Sequence, residues 1–123
     1  MAPKTPNLLD PLGVDSYEVK SMWEILVPTV ANDGTPFRLR RDHKPWDAKV
    51  QKITGGMTLM PVLNGKWQHE GAEYHERMIP VRVVATREQM MEIVRMTAEH
   101  YNQIAVMAYK VYDEVIYLVR GSK

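Results

Sequence analysis

The stretch that decides the fold is residues 77–118, read as RMIPVRVVA at 77–85, REQMMEIVRMTAEHYN at 87–102 and AVMAYKVYDEVIYL at 105–118. The first and third pieces are rich in Val, Ile, Tyr and Met, which favours β-strands. The middle piece carries apolar and small residues at helical spacing: Met90, Ile93, Val94, Thr97, Ala98 and Tyr101. Thr86 and Gln89 form a capping-box pattern at its start. The stretch therefore predicts strand, helix, strand; whether 105–118 is one bulged strand or two paired strands stays open.

The residues before this stretch predict a similar unit. The segment MWEILVPTV at 22–30 has the composition of a first strand. A helix is expected to start near Pro45, because proline fits the first helical position, and to bury Trp46, Val50 and Ile53. Gly55-Gly56 would end that helix. A second strand is expected at 57–62, a turn at Asn64-Gly65 and a third strand at 76–85, with the polar segment between forming a wide hairpin or leaving the sheet.

The order of these elements, βαββαβ, is the ferredoxin-like arrangement of the α+β class. It predicts one antiparallel sheet in the order 4-1-3-2 with both helices on one face. We expect one domain at residues 21–120, preceded by an N-terminal arm or tail at 1–20. Because the strands carry apolar groups on both sides, the uncovered face predicts a homo-oligomer, a trimer or a dimer.

Composition excludes several function classes. The 123 residues include 16 basic and 15 acidic ones, and the formal net charge of +1 indicates neither a nucleic-acid nor a membrane partner. Cysteine is absent, which rules out disulfides and thiolate chemistry. No apolar run approaches the roughly 20 residues that span a bilayer, and the N-terminus lacks the apolar core of a secretory signal. We therefore expect a cytoplasmic protein. The usual nucleotide-binding and serine-hydrolase motifs are also missing.

The densest polar cluster is HEGAEYHE at residues 69–76. Two histidines and three glutamates could serve as metal ligands or as general acid and base. Their spacing matches no known metal motif, so we expect no metal site. Trp67 lies close to Glu70 in the sequence, and an aromatic ring beside a carboxylate can hold a cation.

Residues 87–110 resemble the C-terminal part of phage S-adenosylmethionine lyases. The matching residues are Arg87-Glu88-Gln89, Val94-Arg95-Met96 and the run from Tyr101 through Gln103 to Tyr109-Lys110. The first strand at 23–27 and the glycine stop at 55–56 are also similar to theirs. The segment 65–70 resembles their Tyr-Arg-Glu stretch, with Trp67 in the aromatic place and Glu70 near the carboxylate. The final helix and strand match in detail, and the rest matches in outline.

The resemblance implies a homotrimer of PII-like, ferredoxin-like subunits with active sites between subunits. It implies cleavage of S-adenosylmethionine to methylthioadenosine and homoserine lactone, through attack of the substrate's own carboxylate on its γ-carbon. The reaction needs no metal and no cofactor. A phage-encoded enzyme of this kind would work in the cytoplasm of the infected bacterial host.

The resemblance also implies the residues of the site. Glu70 is the first candidate for the carboxylate that anchors the substrate ammonium, and Glu76 is the second. The candidate substrate-binding residues are Trp67, Tyr109, Gln103, Met57 and Thr58, the last two standing where the lyases carry an aromatic residue.

Two other functions remain open from the sequence. One is a non-catalytic PII-like module that binds a small ligand or a partner protein between subunits. The other is an oxygenase-like or metal enzyme built on a dimeric α+β barrel that uses His69 and His75.

Overall fold

The computed structural model describes residues 7–9 and 16–121 of the chain. This part contains the six elements predicted from the sequence in their predicted order, together with two additional strands and a π-helical turn. The strands are β1 (Asn7–Leu9), β2 (Ser16–Pro28), β3 (Thr58–Leu59), β4 (Leu63–His69), β5 (Ala72–Ala85) and β6 (Ala108–Val119). The α-helices are α1 (Lys44–Thr54), which follows a π-helical turn at Leu39–His43, and α2 (Arg87–His100). Within the described residues, no helix is both long and apolar enough to cross a bilayer.

The strands form one antiparallel sheet in the order β6-β2-β5-β3, which is the predicted 4-1-3-2 order. β4 extends the sheet by pairing with the first half of β5, and β1 pairs with the start of β2. The ferredoxin-like fold class is therefore confirmed.

One face of the sheet carries the hydrophobic core. Alternate residues of the two central strands are buried there: Trp23, Ile25, Val27, Val81, Val83 and Ala85. They pack in one cluster with buried residues from both helices, namely Trp46, Val50, Met90 and Ile93. Both helices therefore lie on the same face, as predicted. The opposite side, formed by the intervening residues such as Glu24, Leu26, Met78 and Arg82, is called the helix-free face below.

The helix ends follow local sequence signals. Pro45 lies in the first turn of α1, and Gly55 ends that helix with a left-handed φ of 92°. At the start of α2, the Thr86 hydroxyl accepts a hydrogen bond from the Gln89 backbone, and the Gln89 side chain accepts one from the Thr86 backbone. The predicted capping box is therefore confirmed.

The turn predicted at Asn64-Gly65 is wrong. Both residues lie inside β4, where they pair with Arg77 and Glu76. The tight turn is instead Glu70-Gly71, whose φ angles are 51° and 80°. Positive φ at both central residues matches the right-handed twist of a hairpin, and this geometry lets β4 and β5 pair over their whole shared length.

The strand boundaries differ from the predicted ones because pairing partners extend them. β2 begins at Ser16 rather than 22, since its first residues pair with the end of β6. β5 begins at Ala72 rather than 76 because β4 pairs with it. For residues 105–118 the sequence allowed one bulged strand or two paired strands. The structure has one long strand, β6, whose pairing with β2 shifts register between Lys20 and Trp23, so the first alternative is correct. The predicted N-terminal arm lies partly outside the described residues.

Candidate functional site

A cavity of about 480 Å³ lies where the β4–β5 hairpin meets the segment that leads into β6. Its size is within the range of small-molecule sites. Most of its wall is apolar, and the polar side chains that reach it are few. The lining residues are Leu26, Pro28, Gly65, Lys66, Trp67, Glu76, Met78, Gln103, Ala105, Val106, Met107 and Ala108.

The hairpin register places an aromatic ring and a carboxylate on the helix-free face. Gly65 pairs with Glu76, and Trp67 pairs with Tyr74, so these four residues share one side of the hairpin. The Trp67 and Tyr74 rings stack with centroids 4.5 Å apart and planes inclined by 17°. This stack fixes the orientation of the Trp67 indole at the cavity wall.

The opposite wall is the segment 103–108. Its start is fixed by the end of α2, because the Gln103 backbone donates to the Ala98 carbonyl at 2.9 Å and the Gln103 side-chain amide donates to the Tyr101 carbonyl at 3.0 Å. Its end is tied to the sheet where the Leu26 backbone donates to Met107. Among the described residues the Gln103 side-chain oxygen has no hydrogen-bond partner, so it can accept a bond from a ligand.

Three of the sequence candidates meet at this cavity, namely Trp67, Glu76 and Gln103. Glu70 does not lie with them. It occupies the hairpin turn, its side chain is 85% exposed, and its carboxylate lies 3.8 Å from His69 Nε2. Met57 packs against the hydrophobic core.

The other two candidates, Thr58 and Tyr109, belong to a row of four residues that crosses the helix-free face. Thr58 pairs with Arg82, Arg82 with Glu24, and Glu24 with Tyr109, each directly across neighbouring strands. We call these four residues the polar row. The polar row adjoins the cavity in two strands. Leu26, which lines the cavity, lies two residues after Glu24 in β2, and Ala108, which also lines it, directly precedes Tyr109 in β6.

Glu24 is the centre of the polar row and is only 6% exposed. Arg82 Nε donates to Glu24 Oε1 at 3.1 Å, and the Tyr109 hydroxyl donates to Glu24 Oε2. This hydrogen bond raises the pKa of the Tyr109 hydroxyl, which therefore stays protonated. Sequence reasoning missed Glu24 and Arg82. The available signal was a charged residue within each of two otherwise apolar segments, 22–28 and 78–85.

The two histidines of the polar cluster at 69–76 point to opposite sides of the hairpin. His69 lies on the same side of the hairpin as Trp67, whereas His75 pairs with Lys66 and points to the other side. Within the described residues, no group of three or more His, Asp or Glu side chains could hold a metal ion. The structure therefore does not bring His69 and His75 together within one chain.

A second polar cluster joins the π-helical turn to the end of α2, which closely precedes the cavity residue Gln103 in the chain. The Tyr101 hydroxyl lies 2.8 Å from His43 Nδ1, and His100 Nε2 lies 2.7 Å from the Asp42 carbonyl oxygen. Burial raises the pKa of Tyr101 well above its usual range and lowers the pKa of His43. This cluster fixes the turn to the helix.

No protein-family model and no curated protein matches the chain. Among solved structures, a phage SAM lyase in complex with S-methyl-5'-thioadenosine matches with a TM-score of 0.59 and 13% identity, over 83% of this chain and 90% of that chain. A phage SAM lyase in the apo state matches with a TM-score of 0.54 and 15% identity, over 94% and 98% of the two chains. CutA from Synechococcus elongatus matches with a TM-score of 0.49 and 11% identity, over 82% of this chain and 84% of that chain. The fold that the resemblance implied is thus shared with the phage lyases.

Proposed function

We propose that this protein cleaves S-adenosylmethionine into methylthioadenosine and homoserine lactone. One observation carries the proposal: the cavity joins a stacked tryptophan, a glutamate and apolar walls. This combination suits a ligand that has an aromatic base at one end and positive charge at the other. The shared fold with the phage lyases supports the choice of this ligand over other adenine-bearing cations.

Glu76 is proposed as the carboxylate that anchors the substrate ammonium, in preference to Glu70. Glu76 lines the cavity and is partly buried, whereas Glu70 is at an exposed turn. A charge-assisted hydrogen bond is stronger where water is partly excluded. Trp67 would stack on the adenine, and the Gln103 oxygen would accept a hydrogen bond from its amino group.

The chemistry needs no acid or base from the protein. A carboxylate oxygen of the substrate attacks the substrate's own γ-carbon, the bond between that carbon and the sulfonium sulfur breaks, and its electron pair stays on the sulfur. The products are the lactone and a neutral thioether. Because opposite charges cancel along this path, apolar walls such as Leu26, Met78 and Val106 favour the transition state over the charged reactant. Holding the chain folded supplies the proximity.

A homotrimer with sites between subunits remains part of the proposal. Several large apolar side chains at the cavity rim or on the neighbouring strands are exposed in the single chain: Leu59, Val62, Leu63, Ile104 and Met107. A neighbouring subunit over these residues would bury them and close the cavity to water.

The test is product analysis after incubating the pure protein with S-adenosylmethionine. We expect methylthioadenosine and homoserine lactone in equal amounts. Glu76→Gln should lower the rate about ten- to a hundredfold, the value of one charged hydrogen bond. Glu70→Gln should leave it near that of the unmodified protein.

The matched control is Glu73→Gln, which makes the same chemical change on the same strand. Glu73 pairs with Gln68 and therefore points away from the cavity, where it lies 3.3 Å from His75. If the folded protein binds S-adenosylmethionine and forms no product, the lyase assignment is wrong and a non-catalytic binding module is left. If Glu73→Gln and Glu76→Gln lose activity equally, the cavity is not the site.

A further inference from the structure

We propose that the polar row is an anion-binding subsite in which Arg82 and Thr58 receive a carboxylate or phosphate group. It is distinct from the anchoring role given to Glu76. Four features of the row carry this inference: the unused part of the Arg82 guanidinium, the way that group is held, the free hydroxyl beside it and the adjoining cavity.

The first feature is the hydrogen bonding of Arg82. Its guanidinium meets Glu24 only through Nε, at 3.1 Å. Among the residues that the structure describes, no other group hydrogen-bonds to the two terminal nitrogens. The side chain is 32% exposed, and Arg82 lies on the helix-free face. Paired guanidinium donors match the two oxygens of a carboxylate or phosphate.

The second feature is that Arg82 is held in position. Glu24, at 8% side-chain exposure, cannot move without losing both of its hydrogen bonds. A buried ion pair in the middle of a sheet stabilises a fold no better than apolar residues of similar size would. Here the Glu24 carboxylate and the Tyr109 hydroxyl instead fix the direction of the guanidinium, which lowers the entropy lost when an anion binds.

The third feature is Thr58. It pairs directly with Arg82, so its hydroxyl is on the same face as the guanidinium. Thr58 is exposed, and its side chain makes no hydrogen bond to any described residue. A hydroxyl and a guanidinium side by side provide three donors for one oxyanion.

The fourth feature is the position next to the cavity. Leu26 lines the cavity and lies two residues from Glu24 on the same face, about 7 Å along the strand. Arg82 and Glu76 are six residues apart in β5, about 20 Å along the strand, so the ammonium and carboxylate on one substrate carbon cannot reach both. The anion is therefore either the carboxylate of a cavity ligand whose ammonium is not at Glu76, or a separate small anion. The first source rests on the proposed function; the second does not. Because Glu24 neutralises Arg82, we expect affinity for a free anion to be weak, in the millimolar range.

The experiment follows the Arg82 Nε–H signal by nuclear magnetic resonance, since its hydrogen bond to Glu24 protects this proton from exchange. Inorganic phosphate is titrated at constant ionic strength, with chloride as the control for screening. We expect a saturable shift with phosphate and none with chloride. Thr58→Val should weaken phosphate binding about tenfold. If neither phosphate nor S-adenosylmethionine causes a saturable shift of this signal, the proposal is wrong.

Arg82→Gln is the direct test of the guanidinium, but it leaves the Glu24 charge buried without a partner. A double variant that removes the whole charge pair replaces it if Arg82→Gln does not fold. Glu24→Gln combined with Arg82→Gln removes both charges together and retains side chains that can hydrogen-bond. Phosphate-induced shifts of the neighbouring Thr58 amide should vanish in this double variant. Their persistence would place the anion elsewhere and refute the assignment.

Two further ligands separate the sources of the anion. If S-adenosylmethionine shifts the Arg82 signal and its decarboxylated analogue does not, the subsite takes the substrate carboxylate, and the ammonium anchor proposed at Glu76 is wrong. If phosphate alone shifts it, the subsite takes a separate anion. The second outcome is independent of product formation, so the subsite can be upheld even where the lyase assay fails.

Discussion

Replacing Trp46 by alanine should destabilise the fold strongly. The indole is 1% exposed and packs in the core, and its Nε1 donates to Thr97 Oγ1 at 2.8 Å. A buried tryptophan covers about 150–250 Å², which at about 25 cal/mol per Å² is about 4–6 kcal/mol. The unfolded chain already shields part of that area, so we expect a loss of about 3–5 kcal/mol. Thr97 keeps its bond to the Ile93 carbonyl and adds little to the cost.

Thermal and urea unfolding, followed by circular dichroism at one protein concentration, measure this loss. A change of that size lowers the melting temperature of a chain of this length by on the order of 10–20 °C. Trp67→Ala is the matched control. Trp67 is half-buried and stacks on Tyr74, so its removal should cost only about 0.5–1.5 kcal/mol. Equal losses for the two variants, or an unchanged midpoint for Trp46→Ala, would refute the division into a core tryptophan and a site tryptophan.

Three other outcomes are expected. Burial lowers the pKa of His43 in the folded protein, so as pH falls the unfolded chain takes up a proton there before the folded chain does. The free energy of unfolding should therefore decrease as pH drops below the ordinary His pKa of 6.5. In His43→Gln this dependence of the urea midpoint on pH should be absent. Gly71→Ala should cost about 1–2 kcal/mol because φ is 80°, whereas Gly56→Ala, which has free space and no positive φ, should cost almost nothing in the same assay. Thr86→Ala should cost about 1 kcal/mol through loss of the α2 cap, and an unchanged unfolding midpoint would contradict the capping box.

The sequence was informative wherever a short segment determines its own structure. Proline at the start of α1, glycine at its end and the Thr86–Gln89 box around the start of α2 act within a few residues of each other, and each predicted boundary agrees with the structure. The strand order also followed from the sequence, because βαββαβ connections allow few arrangements.

The features that the sequence did not predict depend on pairing between distant strands. Gly65 resembled a turn residue, but its pairing with Glu76 places it inside β4. Glu24 and Arg82 are 58 residues apart, and only the register of β2 on β5 brings them together. The cavity joins a hairpin to a segment near residue 105, so no local pattern marks it. For the same reason the resemblance ranked Glu70 before Glu76 as the ammonium anchor, although Glu76 lines the cavity and Glu70 does not.

The central claim is that the cavity beside Trp67 and Glu76 holds the nucleoside product. A crystal structure of the protein with methylthioadenosine tests it most directly. We expect the adenine ring to lie against the Trp67 indole, and the thioether sulfur of the product to point toward Glu76 and the apolar wall. Adenine bound at the Glu70 turn, or in the groove between α1 and α2, would contradict it.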